Sequence, residues 1–249
     1  QRQMCIRDRR CPRESAQGPQ KGAETVPEPD SQGRPENPAE TRSRSLRPGA
    51  PHHGDLDKRI RRNRKMAAFP AEKRLEGFDY RHQTTITKRQ VNALLDFQFI
   101  DERNNLVFIG PPGVGKTHLA IGIGYKAVEA GYRVLFRNAL DLVEELELAE
   151  MKGDLKKRVS ALAKYDLLVI DELGYLPMTR QARYNLFQLI NSLYEYRSII
   201  LTTNKDFTSW GEFFHDDNVA VPIIDRVIHH SHIFMLGGES YRLKQKVTS

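Results

Sequence analysis

The chain has 249 residues, 39% hydrophobic and 29% charged, enough for one large globular domain or one domain with an appendage. Its net charge of +7 comes entirely from residues 1–65, with 16 Lys/Arg against 9 Asp/Glu, while residues 66–249 carry 23 of each sign. Runs of ~20 apolar residues and secretory signals are both absent from the sequence, and Cys5 and Cys11 have a spacing that fits neither a zinc motif nor a disulfide framework. These features argue against a membrane span, a secreted scaffold and a structural zinc module, and a cytoplasmic protein is expected.

Residues 1–65 also hold 8 of the 13 prolines and few large apolar side chains, so they cannot form a core. Residues 1–57 are expected to be a disordered tail or an artefact. The chain opens with Gln1, and Gln-Arg-Gln-Met-Cys-Ile-Arg-Asp-Arg resembles translated sequencing-adapter text; a genuine basic linker is the alternative. Residues 58–87 read as a basic linker and lead-in segment. The cluster Lys58–Lys65 is followed by an extended stretch with Pro70 and Gly77, in which Phe78 packs on the domain. The folded domain is expected over 88–249.

A helix is expected over Lys88–Phe99, with Val91, Leu94, Leu95 and Gln98 on one stripe, then a strand over Leu106–Ile109. Directly after it comes Gly110-Pro111-Pro112-Gly113-Val114-Gly115-Lys116-Thr117, which fits the phosphate-loop pattern G-x-x-x-x-G-K-[ST] between strand and helix. Glycines let backbone N–H groups curl around phosphates, and the helix N-terminus adds its positive dipole end. Lys116 is expected to reach the β- and γ-phosphates of a nucleoside triphosphate, and the Thr117 hydroxyl to hold Mg2+. The nucleotide-binding set is the eight residues Gly110 to Thr117 together with His118, whose side chain itself reads as packing or surface.

The helix after the loop is expected to run from Lys116 to Ala130 and stop at Gly131. A strand over Arg133–Arg137 follows, then a helix opening at Asn138 or Ala139 and a basic helix over Leu155–Lys164. Lys152, Lys156, Lys157 and Arg158 in this region have two readings, a DNA-facing element or a solvated charged face. Next, Leu167-Leu168-Val169-Ile170-Asp171-Glu172 reads as a buried strand ending in two acids. Asp171 is placed to hold the magnesium, and Glu172 to act as general base on the attacking water. The acid pair favours hydrolysis over phosphorylation of a small acceptor.

A helix is expected from Arg180 to Tyr196 after Pro177, then a strand over Ser198–Thr203 ending in Thr202-Thr203-Asn204. Parallel strands deliver their C-terminal ends to one rim, so Asn204 is expected beside Lys116 and Asp171 as a γ-phosphate or water sensor. A short helical stretch around Trp210, a helix over Ala220–His230 and a strand over His232–Leu236 complete the series. His229 and His230 show no acid at ligand spacing, so packing or surface roles are expected, with no metal beyond Mg2+. Alternating strands and helices predict an α/β fold with a parallel sheet covered on both faces.

With these motifs assembled, residues from about Lys65 to Lys246 resemble the IstB-like ATPases, helpers of bacterial insertion sequences within the AAA+ superfamily and relatives of DnaC-type helicase loaders. The resemblance rests on Gly110–Ala120, Tyr165–Pro177, Thr202–Asn204, Trp210–Phe214, Asp225-Arg226 with His229, and Gly238–Leu243. It implies a P-loop AAA+ core with a reduced C-terminal lid and ATP with Mg2+ as cofactors. It also implies self-association into an oligomer on duplex DNA and a cognate transposase as partner, with no membrane. On that basis Arg226 is the candidate arginine finger, reaching a neighbour's γ-phosphate, and Arg242 the second sensor. Family members usually begin with a helical region that helps engage DNA or partners; here a Pro-rich stretch takes that place, and only Lys58–Lys65 resembles the family's basic run. A helicase loader and a truncated nucleotide-binding remnant are the alternative functions.

Overall fold

The computed structural model describes residues 53–174, 178–214 and 217–247. The tail before residue 53, with both cysteines, lies outside them, as do Tyr175, Leu176 and Pro177 of the acidic-strand motif. Among the described residues five strands form one parallel sheet: β1 Asn105–Ile109, β2 Val134–Asn138, β3 Leu167–Leu173, β4 Ser198–Thr203 and β5 Ser231–Met235. Their order is β2-β3-β4-β1-β5. The P-loop strand β1 and the acidic strand β3 thus flank β4, and all three end on one rim.

The near-continuous apolar runs of β1, β3 and β4 follow from burial on both faces. Successive side chains of a strand point to opposite faces, so Leu106 and Phe108 enter one core and Val107 and Ile109 the other. Leu167 and Val169 divide from Leu168 and Ile170 in the same way. The first core is closed by α4 (Lys116–Glu129) and the segments before β1. The second is closed by α5 (Ala139–Met151), α6 (Leu155–Leu162), α7 (Arg180–Leu193) and α9 (Asp217–Ile228), with Trp210 and Phe214 of α8 (Trp210–Phe214). Each fully buried Leu, Ile or Val contributes roughly 1.5–3 kcal/mol, so these two cores hold the rim rigid. β5 is an edge strand, anchored where Phe234 stacks on Phe108 at 5.3 Å and exposed at Ile233 and Met235.

Three expectations change. The run read as a basic linker is part of a helix, α1 (His53–Ala67). Its Asn63 is buried and donates to the carbonyls of Gly131 and Tyr132 at 3.4 and 3.3 Å, and Ala67 is buried in the first core with Leu75 and Ile86. The single helix expected over Lys88–Phe99 is broken. α2 (Lys88–Ala93), capped by Thr87 and Gln90 in a reciprocal box, passes through a short 3₁₀ turn to Phe97, whose φ is 59°, before α3 (Gln98–Asp101). A continuous helix would have kept Gln98 on the buried stripe. The left-handed break leaves Gln98 exposed and buries Phe97, Phe99 and Ile100 instead. Finally, α9 stops at Ile228, so His229 and His230 fall beyond it, beside Glu195.

Candidate functional site

Between β1 and α4 the phosphate loop wraps the helix N-terminus. Gly115 caps α4 with a φ of 100°, a conformation open mainly to glycine, and a Cβ there would lie 2.6 Å from the Phe78 ring. Glycine carries no capping side chain, so first-turn N–H groups remain available to an anion, with the helix dipole behind them. The Lys116 side chain is buried and its Nζ donates to the carbonyls of Gly110 and Pro111 at 2.7 and 2.8 Å. Burial pushes its pKa down; the charges of Asp171 and Glu172 oppose that shift, and Arg242 adds to it.

The acid pair sits at an irregularity. The β3–β4 register shifts between Ile170 and Leu173, and Glu172 takes a φ of 63°. A left-handed non-glycine residue costs roughly 1–2 kcal/mol, and a bulge re-aims the side chain it carries. Thr202 holds both acids. Its hydroxyl, fully buried, donates to Asp171 Oδ1 at 2.6 Å and accepts the Glu172 N–H at 2.9 Å. Thr117 donates to the same Asp171 oxygen at 2.9 Å. Burial pushes the Asp171 pKa up, the two threonine hydroxyls pull it back, and Glu172 adds to the rise. The Glu172 carboxylate is exposed and accepts from Asn138 Nδ2 at 3.1 Å.

Beside the loop lies a cavity of about 400 Å³, lined by Gly113, Lys116, Thr117, His118, Glu172 and Arg242 among others. That is within the range of small-ligand sites, ~300–1,000 Å³. The C-terminal segment is docked on the loop through the Tyr241 N–H, which donates to the Gly113 carbonyl at 3.1 Å and so brings Arg242 to the cavity wall. His118 lines the cavity too, with Nε2 2.7 Å from the Arg74 carbonyl oxygen and its ring edge-on to Phe78. Asn204 is not among the lining residues. It follows β4, between the ends of β1 and β3, and its Oδ1 is buried without a partner among the described residues. A buried unpaired acceptor costs roughly 1–3 kcal/mol, which a water donating from the rim would recover.

Arg226 lies elsewhere. Its Nε donates to Asn191 Oδ1 at 2.9 Å and its guanidinium stands over the Phe187 ring at 5.2 Å. Next to it, the Val227 carbonyl accepts from Asn105 Nδ2 at 2.9 Å, and Asn105 Oδ1 accepts the Ile199 N–H. Asn105 opens β1 and Ile199 is the second residue of β4, so Arg226 sits at the end of the sheet opposite the nucleotide rim, roughly 15 Å away along β1. Among the basic residues after α5, Arg158 is not free: it pairs with Glu145, which also holds Arg137 at 3.0 Å. Lys152, Lys156 and Lys157 are exposed.

Several site residues escaped the sequence reading. Lys73 lines the cavity as a further cation. Buried Gln83 donates to the Val114 and Gly237 carbonyls at 3.0 and 3.1 Å and so ties the lead-in segment to the loop and the C-terminal segment. The roles of Asn138 and Thr202 were equally hidden, because each depends on a partner more than 25 residues away in the chain.

A parallel sheet with a phosphate loop and an acid pair on one rim defines a P-loop nucleotide-binding fold. The family of IstB-like ATP binding proteins matches residues 52–249, and the chain belongs to it. It is 44% identical over 182 residues to the ATP-binding protein of insertion sequence IS5376 of Geobacillus stearothermophilus, covering 73% of this chain and 72% of that protein. Against the IS21 ATP-binding protein of Pseudomonas aeruginosa it is again 44% identical, over 78% of this chain and 72% of the relative. Its fold is similar to that of the DnaC helicase loader, with a TM-score of 0.52 at 23% identity over 59% of this chain and 86% of that one. DnaI gives 0.55 at 17% identity, over 70% and 93%. Among the described residues no helix is long and apolar enough to cross a membrane.

Proposed function

We propose that the chain is an ATP-hydrolysing helper of DNA transposition, assembling as an oligomer on duplex DNA and presenting the target to a transposase. The observation that carries hydrolysis is the hydrogen-bonded set Thr117–Asp171–Thr202–Glu172 beside Lys116. The residues fit a magnesium nucleotide: Thr117 and Asp171 offer adjacent oxygens, and three cations, Lys73, Lys116 and Arg242, line the cavity. Magnesium held by Thr117 and Asp171 would neutralise charge on the β- and γ-phosphates. ATP phosphates on the α4 N-terminus would draw the Lys116 ammonium from the Gly110 and Pro111 carbonyls, its charge then favoured by the phosphate oxygens.

Glu172 is the proposed base. It takes the proton of a water that attacks the γ-phosphorus, the bond to the β–γ bridging oxygen breaks, and ADP leaves with phosphate. The Asn138 amide restrains the Glu172 carboxylate before that step, and the unpaired Asn204 oxygen is a suitable acceptor for the water. Thr202 is the proposed positioning residue, since one hydroxyl fixes the side chain of Asp171 and the backbone of Glu172. Arg226 is proposed to act on a neighbouring copy, in keeping with its place at the opposite edge of the sheet. Arg242 is proposed to couple nucleotide state to the lid.

The insertion-sequence relatives at 44% identity support transposition. The helicase-loader alternative rests on a shared fold at 23% identity or less. The test is ATP hydrolysis by the purified chain, with and without duplex DNA, beside Glu172→Gln. Duplex-stimulated turnover that the substitution abolishes while ATP still binds is expected. Turnover indifferent to Glu172 would overturn the assignment of the base, and no ATP binding would overturn the site.

A further inference from the structure

At the sheet edge opposite the nucleotide rim, three side chains from two distant stretches of chain converge. Glu195 lies in the turn between α7 and β4, and His229 and His230 follow the end of α9. One ligating atom from each lies within 4.8 Å of the other two, and all three residues are exposed. We propose that Glu195, His229 and His230 form a binding site for a divalent transition-metal ion of the zinc class.

The donor set is the first argument. Two imidazoles and one carboxylate suit zinc, which takes three protein ligands and keeps a fourth position for water. Magnesium prefers oxygen ligands, so the same ion would not serve Thr117 and Asp171. Geometry is the second. Donor atoms around tetrahedral zinc stand ~3.3 Å apart for bonds near 2.0 Å. The present spacing, within 4.8 Å, is at most about 1.5 Å wider, which exposed side chains can close by rotamer adjustment. The third is orientation. Tyr194 Oη lies 2.7 Å from His229 Nδ1, an outer partner that leaves Nε2 for the metal when Nδ1 carries the proton. The two imidazole rings are 4.0 Å apart at centroids. Glu195 is held at a φ of 62°, where glycine or asparagine is the usual occupant.

A metal here would clip the end of α9 to the turn after α7. Arg226 is three residues before His229, and its guanidinium stands over the Tyr194 ring at 5.8 Å. The same tyrosine therefore touches the metal ligand through its hydroxyl and the proposed finger through its ring. The clip would fix the platform of Arg226, a consequence that rests on the function proposed above; the metal site does not.

The test is calorimetric titration of the full chain with zinc chloride in saturating magnesium, read alongside the melting temperature. The comparison is with Glu195→Gln, with His230→Ala, and with a chain in which Cys5 and Cys11 are both serine. The wild type should bind one zinc equivalent more than His230→Ala and at least 10-fold more tightly than Glu195→Gln. Zinc should raise its melting temperature more than that of either variant, and the cysteine-free chain should behave as the wild type does. Binding and melting shifts that are the same in all four chains, or no binding in any, would overturn the proposal. ATP binding measured on the same samples separates this outcome from failure of the nucleotide site.

Discussion

At the rim where β1, β3 and β4 end, Lys116, Asp171 and Thr202 are buried. Asp171 takes two hydroxyls on one oxygen, and Lys116 is gripped by two carbonyls. At the opposite edge, where α7 and α9 end, Arg226 is only partly buried and is steadied by one amide, one backbone carbonyl and two aromatic rings. The first region must hold charges against desolvation, so each is fixed by local partners. At the second the guanidinium itself is held, by the Asn191 amide oxygen, the Pro222 carbonyl and the faces of Phe187 and Tyr194. On the function proposed above, each copy would carry two halves of different sites: an acceptor rim and a donor edge.

That division can be broken experimentally, starting where the effect is largest. Arg226→Ala should lower hydrolysis by about 10³-fold or more while the same chain still binds ATP, measured by steady-state turnover beside equilibrium binding. Thr202→Val keeps the shape of the side chain and removes the hydroxyl. It should reduce kcat by about 10²-fold with little change in KM, and Thr202→Ser should restore most of it. Equal losses in valine and serine would mean that packing, not the hydroxyl, matters there.

Asp171 sharpens the comparison through pH. Burial raises its folded-state pKa above the unfolded value, so its ionised form disfavours folding at neutral pH, and that cost fades as pH falls through the raised value. Asp171→Asn should abolish magnesium-dependent hydrolysis yet melt higher than the nucleotide-free wild type at pH 7. The gap should close as the pH falls towards the ordinary aspartate value of 3.8. A variant that melts lower at pH 7 would contradict this reading of the rim. The smallest effect belongs to Asp166, which accepts from the Arg133 backbone and guanidinium just before β3, away from the nucleotide rim. Asp166→Asn should cost no more than about 1 kcal/mol in denaturant unfolding, as half-exposed pairs do, and leave hydrolysis unchanged.

How much of this was legible in the sequence follows from how local each feature is. Lys116, Thr117, Asp171 and Glu172 lie in contiguous motifs at strand ends, and strand alternation carried both the sheet and its two covered faces. The break at Phe97 was hidden because Val91, Leu94, Leu95 and Gln98 give a plausible helical stripe by themselves. Only burial of Phe97, Phe99 and Ile100 in the core decides against it. The helix holding Lys58–Lys65 was masked by its charge, since it docks through a few residues such as Asn63 and Ala67. Thr202, Asn138 and Gln83 gain their roles from partners brought close by the fold. So does Glu195, which meets a histidine pair that sequence spacing had left without an acid.

The most direct measurement mixes two inactive chains. Lys116→Ala has a damaged acceptor rim and an intact Arg226, and Arg226→Ala the reverse. Each alone should be nearly silent in hydrolysis, and their mixture should recover a substantial fraction of wild-type turnover as the finger of one copy completes the rim of another. A mixture as silent as its components, or full turnover by Arg226→Ala alone, would contradict a site shared between copies.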